Sequence, residues 1–173
     1  FEAGIAELAR YPFGTLNYNT VINRHNYAEL PAIVDYIAAL PHHPDTQVFF
    51  SPSIVYMWRD NGSWSDVAVS HSDVVPHLAE AYRAHPGLFL NMDGDCFMPI
   101  CIARKHPELL ALAPTARCDT PTVYLEERRP REVPDQPRIK HASCRRCRYD
   151  PQCGGLCTLY VITYGLEELE PLE

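Results

Sequence analysis

The chain has 173 residues, enough to bury a sizeable core in one domain, and 46% of them are apolar. No run of about 18 apolar residues occurs, which excludes a helix of the membrane-spanning kind. The net charge of −7 makes the chain as a whole a poor match for phosphate backbones.

The start of the chain lacks the basic-then-apolar pattern of a secretory signal. It opens Phe-Glu-Ala rather than with Met, so a fragment or processed product is expected. Seven cysteines stand at 96, 101, 118, 144, 147, 153 and 157. An odd number without an export signal argues against a disulfide scaffold and for metal ligation in the cytoplasm.

In chain order, residues 2–10 form the tail of a helix, which 11–14 (Tyr-Pro-Phe-Gly) breaks. Residues 15–22 are β-rich and partly alternating, hence a strand. Asn26 offers an N-cap with Glu29 as its capping-box partner. The helix that follows carries Leu30, Ile33, Val34, Ile37 and Leu40 on one stripe and stops at Pro41. A second strand runs over 46–50 and ends in Ser51-Pro52-Ser53, and 54–71 form a long loop with Trp58 and Trp64. Ser72 caps another helix, with Val74, Val75, Leu78, Ala79 and Tyr82 on its face and Pro76 in its first turn. Residues 88–92 complete a third strand.

The order α-β-α-β-α-β with short connections predicts right-handed βαβ units and a parallel sheet. The expected fold class is α/β: the C-terminal half of a partial (β/α) barrel over 1–92, then a loop-rich, cysteine-rich cluster-binding domain over 93–173. In that second part a short helix over 108–113, a strand over 122–126 and a final helix over 156–164 punctuate loop. A loop-rich stretch of this length needs something besides an apolar core to order it.

The densest feature is Cys144-x2-Cys147-x5-Cys153-x3-Cys157. A C-x2-C pair lets two thiolates converge from a single turn. Gly154-Gly155 removes side chains where backbone must pass close to a cluster. The final helix after Cys153 turns its N-terminus toward the negative charge of thiolate-bound iron. Four thiolates are the usual complement of a [4Fe–4S] cluster. Zinc is the alternative, since four cysteines also bind it tetrahedrally; zinc ribbons, however, usually carry two C-x2-C knuckles across a longer loop. Eight of the fifteen basic residues lie between Arg128 and Arg148, opposed there only by Glu132 and Asp135. A zinc-stabilised module holding RNA or an acidic partner on this basic loop is therefore the second reading.

C-x2-C-x5-C-x3-C resembles the central element of the SPASM domain, the auxiliary-cluster extension of many radical S-adenosylmethionine (radical SAM) enzymes. Other stretches are similar to the same family. Residues 17–23 (Asn-Tyr-Asn-Thr-Val-Ile-Asn) resemble the fifth barrel strand and 47–52 (Gln-Val-Phe-Phe-Ser-Pro) the sixth. Met98-Pro99-Ile100-Cys101 resembles the Pro-x-Cys that supplies an upstream ligand. Tyr160-x3-Tyr164-Gly-x-Glu-Glu-Leu169 followed by Pro171 resembles the ending of SPASM and shorter "twitch" variants.

The resemblance implies a radical SAM oxidoreductase that modifies a peptide or protein. It also implies S-adenosylmethionine and a second cluster in the full-length parent, and an electron donor such as a flavodoxin or ferredoxin. Cys144, Cys147 and Cys153 would share one auxiliary [4Fe–4S] cluster. Full SPASM domains take the last ligand from a downstream cysteine, and none follows Cys157. In the shorter variants an upstream cysteine completes the cluster, and the resemblance then implies Cys101. Cys157 would join Cys101 and Cys118 only in a two-cluster pattern, and one cluster is favoured over two. Cys96 has no counterpart. The C-x3-C-x2-C motif of the SAM-cleaving cluster is absent from these 173 residues and is expected upstream.

Asn17 and Asn19 on a strand, with Ser51 and Pro52 at a strand's C-terminal end, are candidates for lining a SAM or substrate cavity, Asn19 and Ser51 foremost. Ordinary strand-end hydrogen bonding is the favoured account of Asn17 and Asn19, and turn preference accounts for Ser51 and Pro52 equally well. His25, His42, His43, His71 and His141 lack metal-ligand spacing. Asp93, Asp95 and Asp119 read as turn formers. No catalytic residue, nucleophile elbow, phosphate loop or dinucleotide-binding glycine pattern is found.

Overall fold

A computed structural model describes residues 2–54, 64–89, 98–112, 121–134 and 138–173. After a short helix, Glu2–Leu8 (α1), the chain enters Thr15–Ile22 (β1). Its alternation puts Asn17, Asn19 and Val21 on an open face and Ile22 in the core. Gln47–Ile54 (β2) lies parallel to it, registered from Thr15 against Gln47 to Ile22 against Ile54. The crossover between them carries Leu30–Ala39 (α2), which buries Leu30, Val34 and Ile37.

The entry to α2 differs from the expected capping box. Asn26 Oδ1 accepts from Asn23 N at 2.8 Å, and its Nδ2 donates to the Val21 carbonyl at 3.0 Å. Asn26 therefore closes the turn leaving β1, and α2 is entered through a 3-10 turn, Tyr27–Glu29, with no side-chain cap. β2 also outruns its expected end and continues through Ser51-Pro52-Ser53. Proline removes only its own N–H from the pairing.

Phe50 is fully buried and forms an isolated parallel bridge to Phe89. Their rings meet edge to face at 5.3 Å, and Phe89 meets Tyr82 at the same distance. Of the expected third strand, 88 lies in a 3-10 turn (Pro86–Leu88), 89 forms this bridge, and 90–92 fall outside the described residues.

The expected loop over 54–71 contains Trp64–Val67 (α3). His71–Ala84 (α4) is capped by Ser70 rather than Ser72: Ser70 Oγ accepts from Asp73 N at 3.1 Å. Pro76 consequently sits inside the helix, beyond its first turn. α4 buries Val74, Val75, Leu78, Ala79 and Ala81 and packs on α2.

In the C-terminal part, Ile100–Ala103 (α5) is buried at every position. The segment expected as a helix near 108–113 is a 3-10 helix, Pro107–Leu112. Thr122–Leu125 (β3) pairs in parallel with Arg138–His141 (β4), the latter inside the stretch expected to be basic loop. Ile139 exchanges both backbone hydrogen bonds with Leu156, at 2.7 and 2.9 Å. The last helix, Thr158–Tyr164 (α6), begins two residues later than expected. Gly165 ends it with φ +73, and a Cβ there would stand 2.8 Å from the Arg128 carbonyl.

The described residues thus form a mixed α/β protein with two two-stranded parallel sheets, and they do not close a barrel. One continuous apolar core runs from Ile22 and Phe50 through Cys101 and Cys144 to Leu172. No helix among the described residues is long and apolar enough to cross a membrane.

A buried polar contact ties α4 to the C-terminal segment. Tyr160 Oη accepts from His71 N at 2.7 Å and donates to Glu168, whose other oxygen accepts from Ser72 N at 3.0 Å. The His71 ring stacks on Tyr160 at 4.5 Å, and its Nδ1 is buried with no hydrogen-bond partner. Burial holds His71 down to about 4, against the opposing pull of Glu168. Its ordinary value is 6.5, so between these pH values the unfolded chain binds a proton that the folded chain refuses. The contribution of neutral His71 is complete above about pH 6.5 and is lost as pH falls toward 4. His71→Phe, which keeps the stacking and removes the ring nitrogens, is predicted to shrink the drop in urea stability between pH 7 and pH 5. Equal drops in both proteins would contradict this.

Candidate metal centre

Four thiols line one cavity: Cys101, Cys144, Cys147 and Cys153. Ile100, Tyr149, Leu169 and Pro171 form its apolar walls, with Lys140, Asp150 and Gly155 completing the lining.

Nested turns bring three of these sulfurs together. His141 caps the 3-10 helix Ala142–Arg146, its Nδ1 accepting from Ser143 N at 3.2 Å. Its Nε2 lies 2.9 Å from the Glu126 carbonyl, which can only accept, so the proton is on Nε2. Cys147 N then bonds Cys144 O at 2.9 Å, Asp150 N bonds Cys147 O at 3.0 Å and Cys153 N bonds Tyr149 O at 2.9 Å. Cys101 arrives separately on α5, behind the extended Pro99.

The C-terminal tail seals the arrangement. Arg148 N donates to Leu172 O at 2.8 Å, and Leu172 N returns a bond to Cys147 Sγ at 3.4 Å. Backbone hydrogen bonds from Glu170 and His141 reach Cys101 and Cys144 respectively.

Burial pushes the thiols of Cys101 and Cys144 up to about 11, and the neighbouring cysteines, Cys153 above all, push the same way. Cys101 and Cys144 therefore resist ionising. A cationic group bound among them reverses that preference, because a coordinating thiol gives up its proton outright.

Among the described residues, no three His, Cys, Asp or Glu side chains close tightly enough to hold a single metal ion. A tetrahedral zinc ion draws every sulfur to about 2.3 Å of one nucleus.

Three expectations about this region change. Cys157 does not line the cavity; it is the N-cap of α6. Burial raises its thiol, while backbone hydrogen bonds at the start of α6 and the charge of Arg138 oppose that rise. The helix therefore starts at Cys157, outside the lining of the four-thiol cavity. The glycine pair also serves a different end. Gly155 has φ +69, and a Cβ there would lie 2.6 Å from the Ile139 carbonyl and 2.7 Å from Lys140 Cγ, so its bareness admits β4. A Cβ on Gly154 would meet only the guanidinium end of Arg138, at 3.0 Å.

The basic block is largely engaged within the chain. Arg138 and Lys140 are buried on β4, at 3% exposure each. Arg128 donates to the carbonyls of Leu166 and Leu169, and Arg129 and Arg146 pair with Glu167 and Glu173. Arg145 and Arg148 lie over the rings of Tyr124 and Tyr149.

Asn19 and Ser51 are register neighbours on the open face of the β1–β2 pair, and neither lines the cysteine cavity. Asn19 Nδ2 donates to Ser53 Oγ at 3.0 Å. Cys96, Cys118, Asp93, Asp95, Asp119 and Trp58 lie outside the described residues. Lys140 and Asp150, which the sequence did not single out, stand beside the sulfurs. Only the position of Asp150 between Cys147 and Cys153 hinted at its place.

No family model, curated protein or solved structure matches this chain.

Gly155→Ala is predicted to lower unfolding stability by about 1–3 kcal/mol, through the left-handed φ and the clash with β4. Gly154→Ala, meeting a movable side chain, is predicted to cost well under half as much. Urea denaturation of both variants checks the ranking, and an equal or reversed order would contradict it.

Proposed function

We propose that this chain is the C-terminal portion of a radical SAM oxidoreductase, binding an auxiliary [4Fe–4S] cluster through Cys101, Cys144, Cys147 and Cys153. The observation that carries the reading is the convergence of those four thiols on one cavity, three from a short turn array and one from a separate helix. Supporting it are the sequence resemblance and the parallel βαβ unit, which is the local geometry of a partial (β/α) barrel. Asn19, exposed, and Ser51, half-buried beside it on the same face of that unit, would then face the SAM or substrate cavity.

A cluster at this position supplies an acceptor for one electron, or a Lewis-acidic iron for substrate. The chain's own residues do the rest. The thiolates anchor the group, Ile100, Leu169 and Pro171 keep water from it, and the backbone hydrogen bonds from Glu170, His141 and Leu172 stabilise charge on three sulfurs.

The substrate in this reading is a peptide or protein, and the electron donor is a flavodoxin- or ferredoxin-like protein in the cytoplasm. The SAM-cleaving cluster would come from the parent beyond these residues. A zinc-stabilised RNA-binding module has less support, since so many of its basic residues already hold carboxylates, carbonyls or aromatic rings within the chain.

Anaerobic reconstitution with iron and sulfide tests the reading. It predicts about four iron and four sulfide per chain, with broad charge-transfer absorption in the violet-blue. Serine at Cys101, Cys144, Cys147 or Cys153 is predicted to reduce cluster loading several-fold, whereas Cys157→Ser retains it, with circular dichroism confirming that each variant folds. A colourless chain holding stoichiometric zinc would overturn the proposal. Dependence on Cys157 with indifference to Cys101 would overturn the ligand assignment.

A further inference from the structure

A lysine buried beside four thiols is an unusual element to find in a cavity wall. The Lys140 side chain is 4% exposed, and its Nζ lies 2.8 Å from both the side-chain Oδ1 and the backbone carbonyl of Asp150. Asp150 is held in turn by Tyr124, whose hydroxyl donates to Oδ2 at 2.7 Å. The Tyr124 ring is covered by Arg145 at 4.7 Å and approached by Lys140 Nζ at 5.8 Å. Both Lys140 and Asp150 line the cavity with the sulfurs of Cys101, Cys144, Cys147 and Cys153.

Stability alone gives a weak reason for this pair. Desolvating an ion costs several kcal/mol, and well-packed apolar residues of similar volume commonly do as well. An anionic group among the four cysteines supplies a stronger reason. Iron–sulfur reduction potentials follow net charge, hydrogen bonding and exposure. A fixed ammonium at the cavity wall, acting through a low-dielectric interior, favours the state with one more electron. The carboxylate of Asp150 opposes that field.

We infer that the Lys140–Asp150 pair sets the reduction potential of the group held by Cys101, Cys144, Cys147 and Cys153. This rests on the iron–sulfur reading above. Lys140 ligates nothing; it acts through its charge. The step it tunes is the arrival of one electron from a low-potential reductant such as dithionite, with no bond made or broken and no proton moved.

The experiment is a dye-mediated redox titration of the reconstituted chain, read by visible absorption and electron paramagnetic resonance. Iron and sulfide are assayed in every sample. Lys140→Met is expected to shift the potential negative, Asp150→Asn to shift it positive, and Lys140→Arg to stay near the parent value. Opposite signs distinguish charge tuning from a structural salt bridge, whose loss leaves the potential unmoved or moves both variants alike. Either of those results, with full iron and sulfide, overturns the inference while leaving the cluster reading intact. Should Lys140→Met fail to load, Asp150→Asn decides: a positive shift supports the inference, and no shift or a negative one overturns it. An unsubstituted chain that takes up no iron and sulfide defeats the underlying reading instead.

Discussion

Four thiols gathered at one buried place constrain the rest of the C-terminal region. Burial and the neighbouring cysteines make Cys101 and Cys144 hard to ionise, beside the apolar walls of Ile100, Leu169 and Pro171. Apolar packing alone gives no reason to collect them, because a cysteine behaves elsewhere as a small, interchangeable hydrophobe. What holds them is a backbone arrangement: three consecutive turns, a clasp in which Leu172 accepts from Arg148 N and donates to Cys147 Sγ, and a strand that reaches the site only because Gly155 has no side chain. The proposed cluster would convert this electrostatic burden into binding energy by favouring the ionised sulfurs. It would also account for the order of a region whose regular elements are short.

The second constraint is mechanical. The βαβ half and the cysteine half share one core, and polar contacts reinforce the joint. Tyr160 and Glu168 receive the N-terminus of α4, and Trp64 Nε1 donates to Thr163 Oγ1 at 2.6 Å. Arg128 holds the carbonyls that follow α6, and Gly165 gives the chain the room to turn there. Cys101 belongs to this joint, since α5 is buried among residues of both halves. Displacing the tail would therefore disturb both the clasp on Cys147 and the partner of His71.

Periodic segments were legible in the sequence. β1 matches its expected bounds, and the apolar stripes of α2 and α4 are the buried ones, because burial on one face is what the 3.6-residue repeat encodes. Boundaries set by side-chain hydrogen bonds were less so. Asn26 and Ser72 have the right chemistry for caps, but Asn26 closes the preceding turn and Ser70 is the serine placed to reach Asp73. Spacing drew Cys144 and Cys147 together and the resemblance added Cys153 and Cys101; all four line one cavity, and what they hold there is the proposal. β4 was missed because Arg138-Ile-Lys140 looks like a solvated run; the burial of Lys140 depends on Asp150, ten residues away, and the close approach of the chain to β4 depends on Gly155. Long-range pairing of that kind leaves no local trace.

X-ray absorption at the iron and zinc edges, on protein purified without oxygen, tests the central claim most directly. The account predicts iron with a first shell of sulfur and a second shell of iron, the signature of a cluster seated among the four thiols. Zinc surrounded by four sulfurs at about 2.3 Å, with no metal neighbour, would contradict it.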